Sequence, residues 1–308
     1  MMPMNLKDRK RRFIPGVCNH IYQKTVNGYI IFYDREDYLV FYMILSVMAK
    51  RRNVSVLKIC FMVDHVHLLI EAPSRESMAS FIRDYSSVFV HEYNVSVGRS
   101  GQMFHKSYGS APKKGDKKMR SAIVYIGNNP VEKNLCLHAE DYRWNFLKYL
   151  TEPYPFSKVI PLSECSRAIR RCIKIVRSAL KAGAYINHIR LREMFEGLHE
   201  HEKEYLTDYI ITSYDLIDKD RLMKYYDNWN QMVSAMHFTA GSEHDIKEEY
   251  GHGSDQIYLD MIRYLTERGF KPVRSVTVLP LNQKLVLARE LRQHTCASSY
   301  EMKKLLHL

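Results

Sequence analysis

Two histidines separated by one residue are the clearest candidates for chemistry in this sequence. His65 and His67 lie in the run DHVHLLIE, residues 64–71, whose aliphatic residues predict a strand. Side chains alternate between the faces of a strand, so both imidazoles point the same way while Val66 points to the core. Two imidazoles on one face are suitable ligands for a divalent cation. A structural role is the competing interpretation of this pair taken alone.

A tyrosine and an asparagine form the second candidate set. Tyr125 and Asn129 stand at positions i and i+4 of a predicted helix and therefore share a face. The amide oxygen could add a ligand to a two-histidine metal site, with the phenol beside it. Such a metal polarises a scissile phosphate, and a nearby tyrosine hydroxyl can attack phosphorus to form a covalent phosphotyrosine. In a chain with 22 tyrosines, core packing is the alternative.

The charge distribution favours a polyanionic partner for the first half of the chain. The 308 residues carry a formal net charge of +12. Residues 1–150 contain 23 basic and 13 acidic side chains, whereas residues 151–308 contain 23 and 21. A solvated loop is the simpler interpretation of any basic run, but one such run directly precedes the Tyr125 helix and would neutralise DNA phosphates there. Its members are Lys113, Lys114, Lys117, Lys118 and Arg120.

Composition and cysteine spacing favour a cytoplasmic globular protein. Hydrophobic residues make up 46% of the chain and charged residues 26%, which excludes wholesale disorder. The most apolar stretch, Leu39–Ala49, is too short to span a bilayer, so we expect no membrane segment. The basic N-terminus is not followed by the apolar core of a signal peptide. The six cysteines are scattered without a CxxC pair, which is typical of reduced thiols.

Hydrophobic periodicity predicts an α+β first half and a mostly α-helical second half. We predict a basic leader over residues 1–12, one domain over residues 13–152, and a helical domain over residues 160–308. In the second half only residues 273–279 are strand-like. A possible helix-turn-helix ends the chain, because Ser298 and Glu301 form a capping box before an apolar face. Its last helix would present Lys303, Lys304 and His307 to a DNA groove. In the first half, strand-like runs occupy residues 17–24, 28–33, 54–63, 66–72 and 107–111, and helical runs occupy residues 34–52, 76–97 and 119–128.

Taken together, these residues resemble a known family. His65-Val66-His67 is an HUH motif, histidine-hydrophobe-histidine, and with YIGNNPV at residues 125–131 the sequence resembles the single-tyrosine HUH transposases, above all the REP-associated tyrosine transposases. The resemblance covers residues 13–150. It is also carried by the stretches NGYIIFYDREDYLVFYMIL, FMVDHVHLLIEAP, YNVSVGRSGQMF and DYRWNFLKY.

The resemblance implies a fold and an activity. The fold would be an α+β HUH domain, a ferredoxin-like antiparallel sheet with flanking helices. Tyr125 would take the 5′ phosphate of cut single-stranded DNA and leave a free 3′-OH. His65, His67 and Asn129 would hold Mg²⁺ or Mn²⁺. The substrate would carry a hairpin or palindromic repeat, and the protein would act as a monomer or homodimer.

Departures from the family pattern keep three alternatives open. Asp64 stands where the family often has asparagine, and the stretch HKSYGSAPKKG at residues 105–115 is atypical. One alternative is an HUH nuclease of replication initiation or conjugation, although such enzymes commonly carry a third histidine or a tyrosine pair. Another is a catalytically silent, domesticated DNA-binding protein. The third is a metalloenzyme that acts on small molecules, which the charge distribution and the Tyr125 motif disfavour.

Overall fold

The computed structural model describes residues 13–161, 163–238 and 254–308, so the predicted basic leader lies outside the described residues. The first half contains one sheet of four antiparallel strands, in the spatial order β2-β3-β1-β4. The strands are β1 (Asn19–Lys24), β2 (Ser55–Phe61), β3 (His65–Glu71) and β4 (Gly109–Pro112). The three helices of this half are α1 (Arg35–Arg52), α2 (Arg75–Val97) and α3 (Asp116–Glu132).

The order of elements along the chain is that of a ferredoxin-like domain. α1 connects β1 to β2, and α2 connects β3 to β4, which gives the βαββαβ arrangement. β1 lies between β3 and β4 in the sheet, while β2 lies at the other edge. The predicted α+β class and antiparallel sheet are therefore confirmed.

The two faces of the sheet have different coverings. Phe61 and Val66 are cross-strand partners and share a face, on which the Phe61 ring lies 5.1 Å from that of Phe41 in α1. Cys60 and His67 are the next pair, so they point to the opposite face. α3 lies over that second face, since its residues contact the His67 ring. The sheet thus separates an aliphatic and aromatic core from a face that carries histidines.

Capping fixes the ends of the long helices. The side chain of Asp37 accepts the backbone N–H of Asp34, which completes a capping box at the start of α1. Asn53 ends α1 in the left-handed conformation, and Gly98 does the same for α2. Both helices agree with the predicted ranges to within one residue.

Three predicted elements differ in the structure. The apolar residues Gly28–Tyr33 do not form a strand, because their N–H groups bond outside any ladder: Ile30 to the carbonyl of Lys304, and Ile31 to that of Val63. Residues Val273–Val278 form a 3₁₀ helix instead of a strand. α3 continues past its predicted end at residue 128, through Pro130 to Glu132. Proline has no N–H group, so at this position near the end of the helix one backbone hydrogen bond is missing while the helix continues.

The second half consists of helices that pack back on the first. Among the described residues no helix combines the length and apolar character needed to cross a membrane. The helices are α4 (Arg167–Lys181), α5 (His188–Phe195), α6 (Glu200–Ser213), α7 (Lys219–Met223), α8 (Trp229–Phe238), α9 (Gln256–Glu267), α10 (Leu281–His294) and α11 (Ser299–Leu306). α5 and α6 pack against α1, and α8 packs against α3.

Candidate active site

The predicted histidine pair and tyrosine meet on the second face of the sheet, and another histidine joins them. The ring of Tyr125 lies 5.6 Å from that of His67 and 5.6 Å from that of His20. The His65 and His67 rings are 5.0 Å apart, on the same face as predicted. Nε2 of His20 and Nδ1 of His67 form a 3.0 Å hydrogen bond. Three imidazoles and a phenol are therefore grouped between β1, β3 and α3.

His20 is the residue at this site that the sequence pattern alone does not identify. It lies on β1, two residues before Tyr22, which is the cross-strand partner of His67. Residues i and i+2 of a strand share a face, so this pairing brings His20 beside His67. The pairing register joins strands that are 40 residues or more apart in the chain, and it is not visible in local sequence.

Asp64 orients the first histidine of the pair. Its Oδ1 accepts a hydrogen bond from Nδ1 of His65 at 2.6 Å. Burial alone would raise the pKa of Asp64, but the bond from His65 and the charges of His65 and Lys304 outweigh it and lower that pKa to about 2. The carboxylate therefore stays ionised and accepts a hydrogen bond from Nδ1 of His65, so Nε2 is the nitrogen through which the neutral imidazole would bind a cation.

The C-terminal helix reaches this carboxylate. Nζ of Lys304 on α11 lies 3.4 Å from Oδ2 of Asp64. His307 donates from Nε2 to the carbonyl of Ile30 at 2.8 Å, and its ring stacks on Tyr29 at 4.4 Å. The predicted capping box of Ser298 is present. Lys304 and His307, expected to face a DNA groove, instead contact the first half of the chain.

The phenol and the asparagine of α3 are buried over the histidine face. Tyr125 is 1% exposed and Asn129 is 3% exposed. Nδ2 of Asn129 lies 3.5 Å from the carbonyl oxygen of Tyr125, one turn earlier. The two side chains belong to the same face of α3, as their spacing predicts. The buried phenol of Tyr125 lies beside imidazole rings and not in an aliphatic core. Imidazole nitrogens can bind a proton or a cation, so this burial is compatible with chemistry at the phenol.

The residues between Tyr125 and Asn129 in the motif YIGNN hold α3 in place. An added Cβ at Gly127 would come 2.6 Å from Sδ of Met236, so glycine lets α8 approach closely. Nδ2 of Asn128 donates to the carbonyl of Met236 at 2.8 Å. On the other side, Nδ2 of Asn145 donates to the carbonyl of Gly127 at 2.8 Å. Gly127 and Asn128 of the motif YIGNN therefore serve packing.

A buried lysine supports this arrangement from the sheet. Lys58 lies on β2 as the cross-strand partner of Leu69, on the histidine face, and it is 1% exposed. Its Nζ donates to the backbone and side-chain oxygens of Asn145. Burial lowers the pKa of Lys58 to about 7.

A carboxylate from the second half adds negative charge near His65. Asp255 is 8% exposed, its N–H donates to the carbonyl of Lys133 at 2.9 Å, and its Oδ2 is buried without a hydrogen-bond partner among the described residues. Burial raises the pKa of Asp255 to about 6; the charge of Asp64 adds to the rise, and that of His65 opposes it. The sequence offered no signal for this residue, because it lies 190 positions from His65.

The five predicted DNA-contacting residues do not share one environment. Four are exposed at the loop before α3 and along its first turns: Lys114, Lys117, Lys118 and Arg120. Lys113 is 2% exposed, and its N–H bonds to the carbonyl of Cys18 at 2.8 Å. Lys113 therefore differs from the other four in exposure, because the residue continues the β4 pairing with the chain before β1 and its side chain is buried.

The donor set of this site fits a divalent cation. The Asp64 bond directs Nδ1 of His65 away from the site, and the hydrogen bond between Nε2 of His20 and Nδ1 of His67 does the same for His67, so a cation would meet Nε2 of each ring. Metal-binding histidines in proteins are oriented in this way by the partner of their other nitrogen. Asn129, the predicted third ligand, is a buried residue of α3, the helix that lies over the histidine face.

Comparisons with known proteins found a family model and a solved structure that are similar to parts of this chain. Residues 20–129 match the family model described as "Transposase IS200 like". No curated protein matches the chain significantly. A solved structure, that of the REP-associated tyrosine transposase bound to a REP hairpin, is similar at 16% identity and a TM-score of 0.41, over 53% of this chain and 98% of that one. The family match spans β1 to Asn129 and includes both histidines of the pair and the tyrosine. Residues 20–129, which are 110 of the 308 residues of the chain, are therefore similar to the IS200-like transposase family.

Proposed function

We propose that this protein is a transposase that cuts and rejoins single-stranded DNA next to a hairpin, with Tyr125 as nucleophile. The observation that carries the proposal is the convergence of the Tyr125 ring with the rings of His20 and His67, each at 5.6 Å. This convergence joins a helix and two strands that are distant in sequence. The match of residues 20–129 to the IS200-like family model suggests the reaction class, and the grouping of these side chains suggests its residues.

The proposed cofactor is Mg²⁺ or Mn²⁺, held by His65, His67 and Asn129. A bound divalent cation polarises a phosphate oxygen and stabilises the negative charge that develops at phosphorus. The protein's contribution is to orient its ligands: Asp64 holds the proton on Nδ1 of His65, and His20 pairs with Nδ1 of His67. Imidazole and amide donors suit Mn²⁺ well, and the family's reaction admits either ion.

The proposed covalent step uses the phenol oxygen of Tyr125. Its attack forms an O–P bond to the 5′ phosphate and breaks the bond from phosphorus to the 3′ oxygen, which ends as a free hydroxyl. The phosphotyrosine keeps the energy of the phosphodiester. Attack by a 3′-OH in the reverse direction therefore rejoins the strand without a nucleotide cofactor.

Burial of the site implies that DNA binding opens it. Tyr125 is 1% exposed and His67 is fully buried, so a phosphate cannot reach the phenol in the present arrangement. α3 is held against α8 by the Asn128–Met236 bond and against the sheet by Asn145. We propose that single-stranded DNA gains access when α3 moves relative to one of these supports.

The exposed basic residues before and along α3 form the proposed DNA-binding surface. They are Lys114, Lys117, Lys118 and Arg120, which lie one to three turns ahead of Tyr125. Cations there would bind phosphates of the strand that leads to the scissile bond, and the affinity would fall steeply with salt. We propose the cytoplasm as the compartment because cellular DNA is the substrate, with the active protein a monomer or homodimer.

Two other functions fit the same domain. A catalytically silent protein would bind hairpin DNA without cutting it, and the closed site is the observation that favours it. A replication or conjugation nuclease would use the same chemistry, and His20 is the observation that favours it, because a third histidine is common in those enzymes. The hydrogen bond between Nε2 of His20 and Nδ1 of His67, however, favours a role for His20 in orienting His67 over a role as a ligand itself.

The experiment tests for a covalent adduct. Labelled single-stranded oligonucleotides from palindromic repeats flanking the gene are incubated with the protein and Mn²⁺, then resolved on a denaturing gel. We expect an adduct with the wild type and with Tyr85→Phe, a control that alters a fully buried tyrosine elsewhere. Tyr125→Phe should form none. An adduct with Tyr125→Phe would refute the nucleophile, and binding of hairpins without cleavage under Mg²⁺ or Mn²⁺ would favour the silent alternative.

A further inference from the structure

A second group of metal-type ligands lies apart from the histidine face. His138 and Glu140 flank the start of the 3₁₀ helix Ala139–Asp141, and His237 lies in the last turn of α8. Nε2 of His237 is 3.1 Å from each carboxylate oxygen of Glu140, and the rings of His138 and His237 are 4.8 Å apart. One ligand atom from each residue lies within 4.8 Å of the other two.

The chemistry of this group is that of a zinc site. Two imidazoles and one carboxylate are ligands that Zn²⁺ accepts in tetrahedral geometry, with bonds of about 2.0–2.2 Å that place ligand atoms about 3.4 Å apart. The present separations of the donors reach up to 4.8 Å, so the side chains would move closer together when an ion binds. His237 retains 36% of its side-chain exposure and Glu140 retains 17%, so an ion can enter from solvent and keep a water ligand.

The backbone that carries these ligands is already fixed. Asn128 holds the carbonyl of Met236, the residue before His237, and Asn145 holds the carbonyl of Ala139 at 2.8 Å. Both anchors are buried. The ligands are thus presented by two segments whose relative position is set by hydrogen bonds, which lowers the entropy lost when an ion binds.

We propose that His138, Glu140 and His237 form a Zn²⁺-binding site, separate from the active site, that ties α8 to the segment following α3. The ion would replace the direct contact between His237 and Glu140 by two coordinate bonds and add a third from His138. This proposal does not depend on the proposed DNA reaction, because neither ligand segment includes Tyr125 or the His65–His67 pair.

The test measures metal binding to the full-length protein without a histidine tag. In a His65→Ala/His67→Ala background, where only the new site should bind, we expect about one equivalent of Zn²⁺ by calorimetry and visible absorption bands of tetrahedral Co²⁺. Adding His138→Ala and His237→Ala should weaken Zn²⁺ binding by roughly tenfold or more and remove the bands. The matched control, His91→Ala/His201→Ala, removes two exposed histidines and should change neither.

A second readout covers the case in which the background variant fails to fold. Zn²⁺ should raise the Tm of the wild type, because a ligand that binds only the folded state stabilises it. In protein whose His65 and His67 are intact, Glu140→Gln should reduce this rise, and His138→Ala/His237→Ala should reduce it further, to the part that the His65–His67 pair contributes. Equal Zn²⁺ affinity and equal Tm shifts in the wild type and the His138/His237 variant would overturn the proposal.

Discussion

At the scale of single residues, the site depends on which nitrogen of each histidine carries a proton. Asp64 holds the Nδ1 proton of His65 at 2.6 Å, and its low pKa keeps it ionised. His20 is the corresponding partner of His67, at 3.0 Å. A partner of this kind sets the tautomer and orientation of a ligand, and its loss weakens metal binding even when the ligand itself is intact.

We expect His20→Phe to lower the affinity for Mn²⁺ by roughly 10- to 100-fold, because His67 loses the partner that orients it. The phenyl ring preserves most of the packing volume, so the fold should remain. Calorimetry or Mn²⁺ paramagnetic resonance measures the affinity. His105→Ala, which alters an exposed histidine, is the control. An unchanged Mn²⁺ affinity in His20→Phe would show that His20 does not orient His67.

At the scale of elements, the second half is joined to the first through buried charges. The guanidinium of Arg274, in the 3₁₀ helix Val273–Val278, lies 2.6 Å from Asp37 at the start of α1. Arg274 is 1% exposed and Asp37 is fully buried. His188, at the start of α5, lies 3.2 Å from the same carboxylate oxygen. Three segments therefore meet at one carboxylate, and removing one partner leaves charge without compensation.

We predict that Arg274→Met lowers the free energy of unfolding by about 3–5 kcal/mol, the usual cost of breaking a buried ion pair on one side. Urea denaturation of both proteins at neutral pH measures it. Arg263→Met removes an arginine that is 66% exposed beside Asp260, and it should change the free energy by less than about 0.5 kcal/mol. A similarly small change in the free energy of unfolding for both variants would mean that the contacts of Asp37 with Arg274 and His188 do not join the two halves of the chain.

At the scale of the whole molecule, patterns of period two and 3.6 predict most of the first half but not its long-range pairings. Alternation predicts that His65 and His67 share a face, and i, i+4 spacing predicts the same for Tyr125 and Asn129; both hold in the structure. Strand register adds His20, which local sequence does not show. The inward turn of Lys113 has the same cause, since it follows from the pairing of β4 with β1.

Burial of Lys58 gives the whole protein a pH-dependent stability. Its pKa is about 7 in the fold and about 10.5 when unfolded. At a pH between these two pKa values, Lys58 is protonated in the unfolded chain and neutral in the folded chain. The free energy of unfolding therefore decreases as the pH falls from 9 to 7. We predict that over this pH range the free energy of unfolding of the wild type decreases by about 2 kcal/mol more than that of Lys58→Met. Urea denaturation at several pH values measures the difference, and a constant difference would contradict the buried, deprotonated amine.

The most direct test of the central claim is to identify the residue that becomes bonded to DNA. The covalent adduct formed with a single-stranded hairpin and Mn²⁺ is digested with trypsin and nuclease, and the modified peptide is sequenced by mass spectrometry. Cleavage after Arg120 and Lys133 releases residues 121–133, a peptide whose one tyrosine is Tyr125. We predict a 5′-nucleotide on that tyrosine. A nucleotide on any of the other 21 tyrosines, or on no tyrosine at all, would contradict the account.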